Sequence, residues 1–276
     1  MNLDWKPGAS HRIVTWNINS ARLRLPLVLQ MIETLQPDVI CLQEIKCTEP
    51  QFPASQLRDA GFPYQAINGI KGLHGVATLA RQPFEAVQAF SWCGKEDGRH
   101  LMTLLQDGTE LHNFYVPSGG DEPDPQANEK FAHKLDFVGE LADYWKGRAD
   151  EAGLRAIKVG DLNIAPLQND VWSHKQMLKV VSHTPIEVGG LDAVQAAGRW
   201  VDAVRHFIPP EQKLFTWWSY RARDWSASDR GRRLDHIWVT PPLEGSLTSA
   251  GVHREARGWE KPSDHVPVWL DLSLGR

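Results

Sequence analysis

"RAIKVGDLNI" (155–164) is a short apolar stretch that turns polar at its end. Strand alternation places Ile157, Val159, Asp161 and Asn163 on one side, so an apolar face runs into a carboxylate and an amide. The same ending recurs along the chain. "RIVTWNIN" (12–19) puts Val14, Trp16 and Ile18 on one face and Thr15, Asn17 and Asn19 on the other. "DVICLQE" (38–44), which reads as a strand buried on both faces, closes on Glu44. "HLMTLLQDGTELHNFYVP" (100–117) is a hairpin pattern that turns at Asp107-Gly108 and carries Tyr115 near its end. Asp235 and His236 interrupt "RLDHIWVT" (233–240), and Asp264 and His265 stand at the start of the last strand, "HVPVWLDL" (265–272). Two helical stripes lie between these segments: Leu25, Val28, Leu29, Ile32 and Leu35, stopping at Pro37, and Phe131, Leu135, Val138, Leu141 and Trp145. Strands outnumber helices and use both hairpins and crossovers. That predicts an α/β fold of mixed sheets packed together with helices outside. No repeat or long linker divides the chain, so one domain is expected over 12–276 after a flexible extension at 1–11.

Composition narrows the function classes. The chain has 276 residues, with 42% apolar and 23% charged, which suits a soluble globular protein. No apolar run is long enough to span a bilayer, and the first residues lack a signal-peptide core. Three cysteines without metal-ligand spacing point to a reducing, cytoplasmic setting. The net charge of −4 means that any nucleic-acid contact has to come from a local patch. "RARDWSASDRGRR" (221–233), with five Arg and two Asp, is the richest one, although on charge alone it reads as a solvated loop.

Each polar strand end has an ordinary structural reading. Asn17 or Asn163 suits a turn, Glu44 can pair with Lys46, Tyr115 suits a core, and Asp264 and His265 suit a cap and a satisfied interior histidine. Together they place four carboxylates, amides, a Tyr and a His where sheets bind ligands, at one edge. That set fits metal-assisted hydrolysis of a phosphodiester. Carboxylate and amide oxygens suit magnesium, and the absence of clustered Cys or metal-spaced His disfavours zinc. Asp161 can supply a base, and His265 with a carboxylate partner can supply a cation. No G-x-S-x-G elbow appears, which disfavours a serine hydrolase.

The ordered set "IVTWNIN", "DVICLQEIK", "GLHGVATLAR", "NFYVPSGG", "VGDLNIAP", "FTWWSY", "GRRLDHIWVT" and "KPSDHVPVW" resembles the motifs of exonuclease III-type AP endonucleases, in the endonuclease/exonuclease/phosphatase superfamily. The resemblance runs from about residue 12 to about residue 272. It implies a four-layered α/β-sandwich, two mixed sheets face to face with helices outside. It implies hydrolysis 5′ to abasic sites in double-stranded DNA, with 3′→5′ exonuclease and 3′-phosphatase or phosphodiesterase activity, by a monomer that uses magnesium or manganese and acts on abasic or 3′-blocked ends. Carried over, Glu44 holds the metal with Asn17 and Asp264 close by. Asp161, helped by Asn163, handles the attacking water, and Tyr115 touches the scissile phosphate. His265 contacts a phosphate oxygen, with Asp235 fixing its tautomer. Trp217 and Leu234 wall the pocket for the base-less sugar, and Lys46 belongs to the DNA-contacting set. Arg221, Arg223, Trp225 and the arginines Arg230, Arg232 and Arg233 lie on a DNA-facing loop. Three positions depart from the pattern: Ser118, Asn19, and Arg232, where a pocket-lining apolar residue is usual. The rival readings are a lipid or inositol phosphodiesterase of the same superfamily, disfavoured by the Trp- and Arg-rich 217–233, and a non-catalytic DNA-binding relative, disfavoured because no catalytic group is missing.

Overall fold

The computed structural model describes residues 10–274. Its strands are β1 (Ser10–Asn17), β2 (Val39–Gln43), β3 (Tyr64–Ile70), β4 (Leu73–Ala80), β5 (Ala86–Trp92), β6 (Lys95–Leu104), β7 (Glu110–Tyr115), β8 (Ala156–Asp161), β9 (Val201–Asp202), β10 (Asp235–Val239), β11 (Leu247–Val252) and β12 (Val268–Ser273). Its helices are α1 (Leu25–Leu35), α2 (Ala54–Asp59), α3 (Glu129–Arg148), α4 (His174–Met177), α5 (Pro185–Ala197), α6 (Ala203–Phe207), α7 (Trp225–Ser228) and α8 (Pro241–Glu244). The strands form two mixed six-stranded sheets, ordered β11-β12-β1-β2-β4-β3 and β5-β6-β7-β8-β10-β9. Each sheet has one parallel pair at its centre, β1–β2 joined through α1 and β7–β8 joined through α3. No helix among the described residues is long and apolar enough to cross a membrane.

Alternation along the strands builds the layers. Ile13, Val39, Cys41, Leu111, Ile157, Val159, Ile237 and Val268 point inward and fill the space between the sheets. Val14, Trp16, Ile40 and Leu42 point outward onto α1. The buried stripe of α1 is Leu27, Val28, Met31, Ile32 and Leu35, with Leu25 and Leu29 at its flanks. On the other side, Phe137, Val138, Leu141 and Trp145 of α3 and Leu191 and Val194 of α5 cover the outer face of the second sheet. Each buried Leu, Ile or Val side chain contributes about 1.5–3 kcal/mol. Close approach of β7 and β8 requires Gly160, whose φ is 134°; a Cβ there would lie 1.9 Å from the Phe114 carbonyl oxygen.

Several boundaries differ from the sequence expectation, each for a local reason. Strand β1 begins at Ser10, and buried His11 pairs with Leu272, so the sheet takes in two residues of the expected extension; residues 1–9 lie outside the described residues. Strand β8 stops at Asp161, not Ile164, because the Asp161 carboxylate captures the Asn163 N–H (2.9 Å) and Asn163 turns left-handed at φ 53°. Strand β10 begins at Asp235 rather than 233, and β12 begins at Val268, after Pro267, which has no N–H to give a ladder. Asp264 and His265 therefore precede the last strand; His265 bridges Trp217 instead.

Candidate active site

The topology brings the polar strand ends to one edge. Asn17 ends β1, Glu44 follows β2, Tyr115 ends β7 and Asp161 ends β8. Strands β10 and β12 run antiparallel to β8 and β1, so Asp235, at the start of β10, and the loop before β12 arrive at that same edge. Asp161 sits between Tyr115 and Asp235 as cross-strand partners. The inward rows Ile13–Thr15–Asn17 and Ile157–Val159–Asp161 thus change from apolar to polar where the sandwich opens into a cleft.

Asp161 is buried and receives hydrogen bonds from Asn17 Nδ2 (2.8 Å), Asn163 Nδ2 (3.1 Å) and the Asn163 N–H (2.9 Å). The expected partnership of Asp161 and Asn163 is present, but it is made by a tight turn and not by strand alternation. The same Asn17 Nδ2 reaches Glu44 Oε1 (3.0 Å), while its Oδ1 accepts the Asn19 N–H (3.1 Å). Glu44 also accepts from the Tyr115 hydroxyl (2.8 Å) and pairs with Lys46 (2.8 Å). Burial would raise the Glu44 carboxyl, but Lys46, Asn17 and Tyr115 hold it below the usual range. Burial first, and the charges of Asp235 and Glu44, push the Asp161 carboxyl up to about 7 against the pull of His265 and Asn17.

His265 Nδ1 lies 2.8 Å from Asp235 Oδ2, which also takes the Thr216 hydroxyl at 2.6 Å. Burial alone would lower this imidazole; Asp235, then Asp161, override it and raise His265 to about 10, so the ring is a cation at neutral pH. Its Nε2 stands 3.6 Å from Asp161 Oδ2, too far for a good hydrogen bond. Asp264 accepts from Trp217 Nε1 (2.9 Å) and Asn19 Nδ2 (3.3 Å), and Asn19 Oδ1 takes Lys46 (2.6 Å). Asn19, Glu44, Lys46 and Asn163 all have φ near 50°. Backbone bonds from Ser20 to the Glu44 carbonyl (2.7 Å) and from Lys46 to the His74 carbonyl (2.9 Å) hold the Glu44 turn in a conformation that non-glycine residues avoid.

The expected DNA-contacting set divides. Trp217, Leu234, Arg221 and Arg230 line the cleft, and the Arg230 guanidinium lies 4.6 Å over Trp172. Arg223 is exposed. Lys46 is tied to Glu44 and Asn19 inside the site. Trp225 does not line the cleft as expected. It is half-buried and packs edge-on to Trp218 (5.2 Å), with the guanidinium groups of Arg254 and Arg257 over its ring. Arg233 is likewise not exposed on the loop: it is buried on Asp202 (2.6 Å) and Asp170 (3.6 Å). Trp218, beside Trp217, is core. His236 points to the helical layer, bonds the Ile164 carbonyl (2.8 Å), and burial with nearby Arg233 pulls it down to about 3.

Sequence reasoning missed the supports. Buried Lys134 of α3 donates to the carbonyls of Ser118 (3.2 Å) and Asn163 (2.8 Å) and pairs with Glu187 of α5 (2.5 Å), so the helical layer clamps two cleft loops. Gln43 and Asn113 bond across the sheets at 2.7 Å beneath the site. Ser263 joins the Asn17 carbonyl to the His265 N–H. Lys134 on an otherwise apolar helical stripe was the one available signal.

The donor chemistry fits a metal. Asp161, Asp235 and His265 offer ligand atoms within 4.8 Å of one another. Asp235 is fully buried behind His265 and does not line the cleft, whereas Glu44 and Asp264 line it together with Asp161. A carboxyl raised to about 7 by burial, and then by the charges of Asp235 and Glu44, is what a divalent cation bound to oxygen ligands relieves.

Comparison with known proteins gives the family and the fold. An exodeoxyribonuclease III from Haemophilus influenzae is 30% identical over 273 residues, covering 95% of this chain and 99% of that protein. An AP endonuclease from Archaeoglobus fulgidus superposes with TM-score 0.86 at 29% identity, covering 95% and 99%. A 3′ phosphatase from Neisseria, solved with a product DNA hairpin, does so with TM-score 0.86 at 28% identity and the same coverage. The Endonuclease/Exonuclease/phosphatase family model matches residues 14–265, and the chain, with its strand-end carboxylates and His–Asp pair gathered at one cleft, belongs to that family.

Proposed function

We propose that the chain is a magnesium-dependent DNA-repair nuclease that hydrolyses the phosphodiester 5′ to abasic sites in double-stranded DNA, with 3′→5′ exonuclease and 3′-phosphatase or phosphodiesterase activity at the same site. One observation carries this reading: a raised carboxylate, Asp161, and an imidazolium, His265, face each other 3.6 Å apart at the cleft, each held from behind by its own partners. Asn17 and Asn163 orient Asp161, which accepts a proton from the attacking water. His265, fixed by Asp235 and Thr216, directs Nε2–H at a phosphate oxygen as negative charge builds there. Tyr115 holds Glu44 and presents its hydroxyl at the same edge. Glu44 and Asp264, with Asn17 adjoining, would hold magnesium, which supplies Lewis-acid stabilisation of the phosphate. Trp217 and Leu234 wall a pocket that a sugar without its base can enter. The test is incision of a duplex carrying one tetrahydrofuran abasic analogue. A magnesium-dependent nick 5′ to the lesion that leaves a 3′ hydroxyl is expected; an uncut lesion strand refutes the reading.

Glu44→Gln keeps the shape of the side chain and removes the charge nearest Asn17, Tyr115 and Lys46. The magnesium midpoint for incision is expected to rise roughly tenfold to a hundredfold. An unchanged magnesium titration places the metal elsewhere.

The exposed arginines at the rim predict a salt effect. Replacing Arg221, Arg223 and Arg230 together by Ala should weaken binding to intact and abasic duplexes alike, and lower the slope of log K against log salt by about 1 for each phosphate no longer neutralised. Wild-type affinity and slope in the triple variant would mean that this rim does not face DNA.

A further inference from the structure

Arg232 is a cationic group of the pocket wall that is largely buried, and among the described residues no carboxylate pairs with it. Its backbone exchanges hydrogen bonds with Trp217 at 3.0 Å in both directions, and Trp217 in turn bridges His265. Arg232 and His265 thus lie on either side of Trp217, two strand spacings or about 10 Å apart along the backbone. The guanidinium lies 4.9 Å over the Trp217 ring. NH1 donates to the Val181 carbonyl (3.1 Å) and the Ser182 hydroxyl (3.0 Å), both neutral, and Nε is buried with no acceptor. The carboxylate whose charge acts on it, Glu187, is already taken by Lys134 at 2.5 Å. Arg233, next in the chain, shows the usual arrangement, with carboxylates of Asp202 and Asp170 against it. A largely desolvated cation without a counter-charge is costly, and the open cleft is where one can come from.

We propose that Arg232 sets the specificity of the pocket, and that it favours a group carrying its own carboxylate over a neutral abasic sugar. This rests on the nuclease reading above. In that reaction water adds to phosphorus, the bond from phosphorus to the upstream 3′ oxygen breaks, and that oxygen takes a proton and stays on the DNA as a hydroxyl. The phosphate leaves with whatever is esterified on its far side, and that far group occupies the space between Trp217, Leu234 and Arg232. An abasic sugar offers the guanidinium hydroxyl contacts only. A 3′ end blocked by a phosphoglycolate offers a carboxylate, which can accept a charge-assisted hydrogen bond from NH2, the guanidinium nitrogen that neither Val181, Ser182 nor burial takes up. Trp217 keeps the guanidinium plane fixed, so little side-chain freedom is lost when the pair forms.

The test compares wild type with Arg232→Met and Arg232→Lys on matched duplexes: a 3′-phosphoglycolate end, a 3′-ethylphosphate end of the same length without the charge, and an internal tetrahydrofuran site. Wild-type kcat/KM is expected to favour the glycolate over the ethyl ester by about tenfold or more, the contribution of one charged hydrogen bond. Arg232→Met should bring that ratio close to one, and Arg232→Lys should keep part of it. Equal ratios in wild type and Arg232→Met overturn the proposal. Inhibition of wild type by free 2-phosphoglycolate and by ethyl phosphate decides the matter even if Arg232→Met does not fold. Tighter inhibition by the glycolate supports the assignment, and equal inhibition overturns it. A wild-type protein that cuts none of the duplexes refutes the nuclease reading and this proposal with it; one that cuts all three without charge preference refutes the Arg232 assignment alone.

Discussion

Asp161→Asn is expected to lower turnover on a duplex with one abasic site by about a hundredfold or more, while abasic DNA still binds. The substitution keeps the size of the side chain and its place between Tyr115 and Asp235 in the sheet, but it removes the group that accepts the proton. It relieves the repulsion from Asp235 and Glu44, but it also turns one of two accepting oxygens into a donor that faces the N–H groups of Asn17 or Asn163, and it removes the charge opposite His265. The fold should persist at some cost in stability, and retained binding to abasic DNA separates a chemical role from a structural one. The pH profile gives a second readout. The Asp161 carboxyl stands at about 7, above its ordinary 3.8, so at low metal concentration the base form appears, and turnover climbs, as pH rises through about 7. Saturating magnesium shifts that limb to lower pH, because a cation favours the ionised carboxylate. Loss of binding to abasic DNA, or an unfolded variant, would overturn the assignment of Asp161 as the base.

The second large effect is at the His265–Asp235 pair. His265→Asn and Asp235→Asn should each lower turnover by roughly two to three orders of magnitude, the scale of removing a donor aimed at developing charge. The double variant should be little worse than the worse single one, because the 2.8 Å bond makes the two residues one unit. In Asp235→Asn the group that raises His265 to about 10 is gone, so the alkaline limb of the profile moves to lower pH. The stability sign follows the same shift. A histidine raised above its ordinary 6.5 contributes its full stabilisation below that pH and loses it as pH rises through about 10. Asp264→Asn should behave differently, changing the metal dependence, because its carboxylate bonds Trp217 and Asn19 and not the imidazole. A kinetic double-mutant cycle at saturating magnesium decides the question: losses that multiply as independent factors would break the proposed coupling.

Much of this arrangement was legible in the chain itself. Alternation of apolar side chains marked the strands, and several polar residues near their ends, Glu44, Tyr115 and Asp161 among them, line the cleft, because a residue at a strand end has left the apolar interior. Glu44, Tyr115, Asp161, Asp235 and His265 could be picked out on that ground, and strand direction brought them to one edge. Partner choice could not be read in the same way. Trp217 and Trp218 are adjacent and identical in type, yet one walls the cleft and the other fills the core. Arg232 and Arg233 are adjacent too, yet Arg233 is neutralised by Asp202 and Asp170 while Arg232 is left for the cleft. Trp225, in a segment that read as a basic surface loop, turned back onto Trp218. The chain by itself determined which residues alternate and which chemical groups stand near the strand ends, since these follow from neighbours in sequence. Only the tertiary structure decided which member of each adjacent pair faces in and which charges are cancelled, because an extended backbone sends neighbours to opposite sides and the groups that meet them there come from distant parts of the chain.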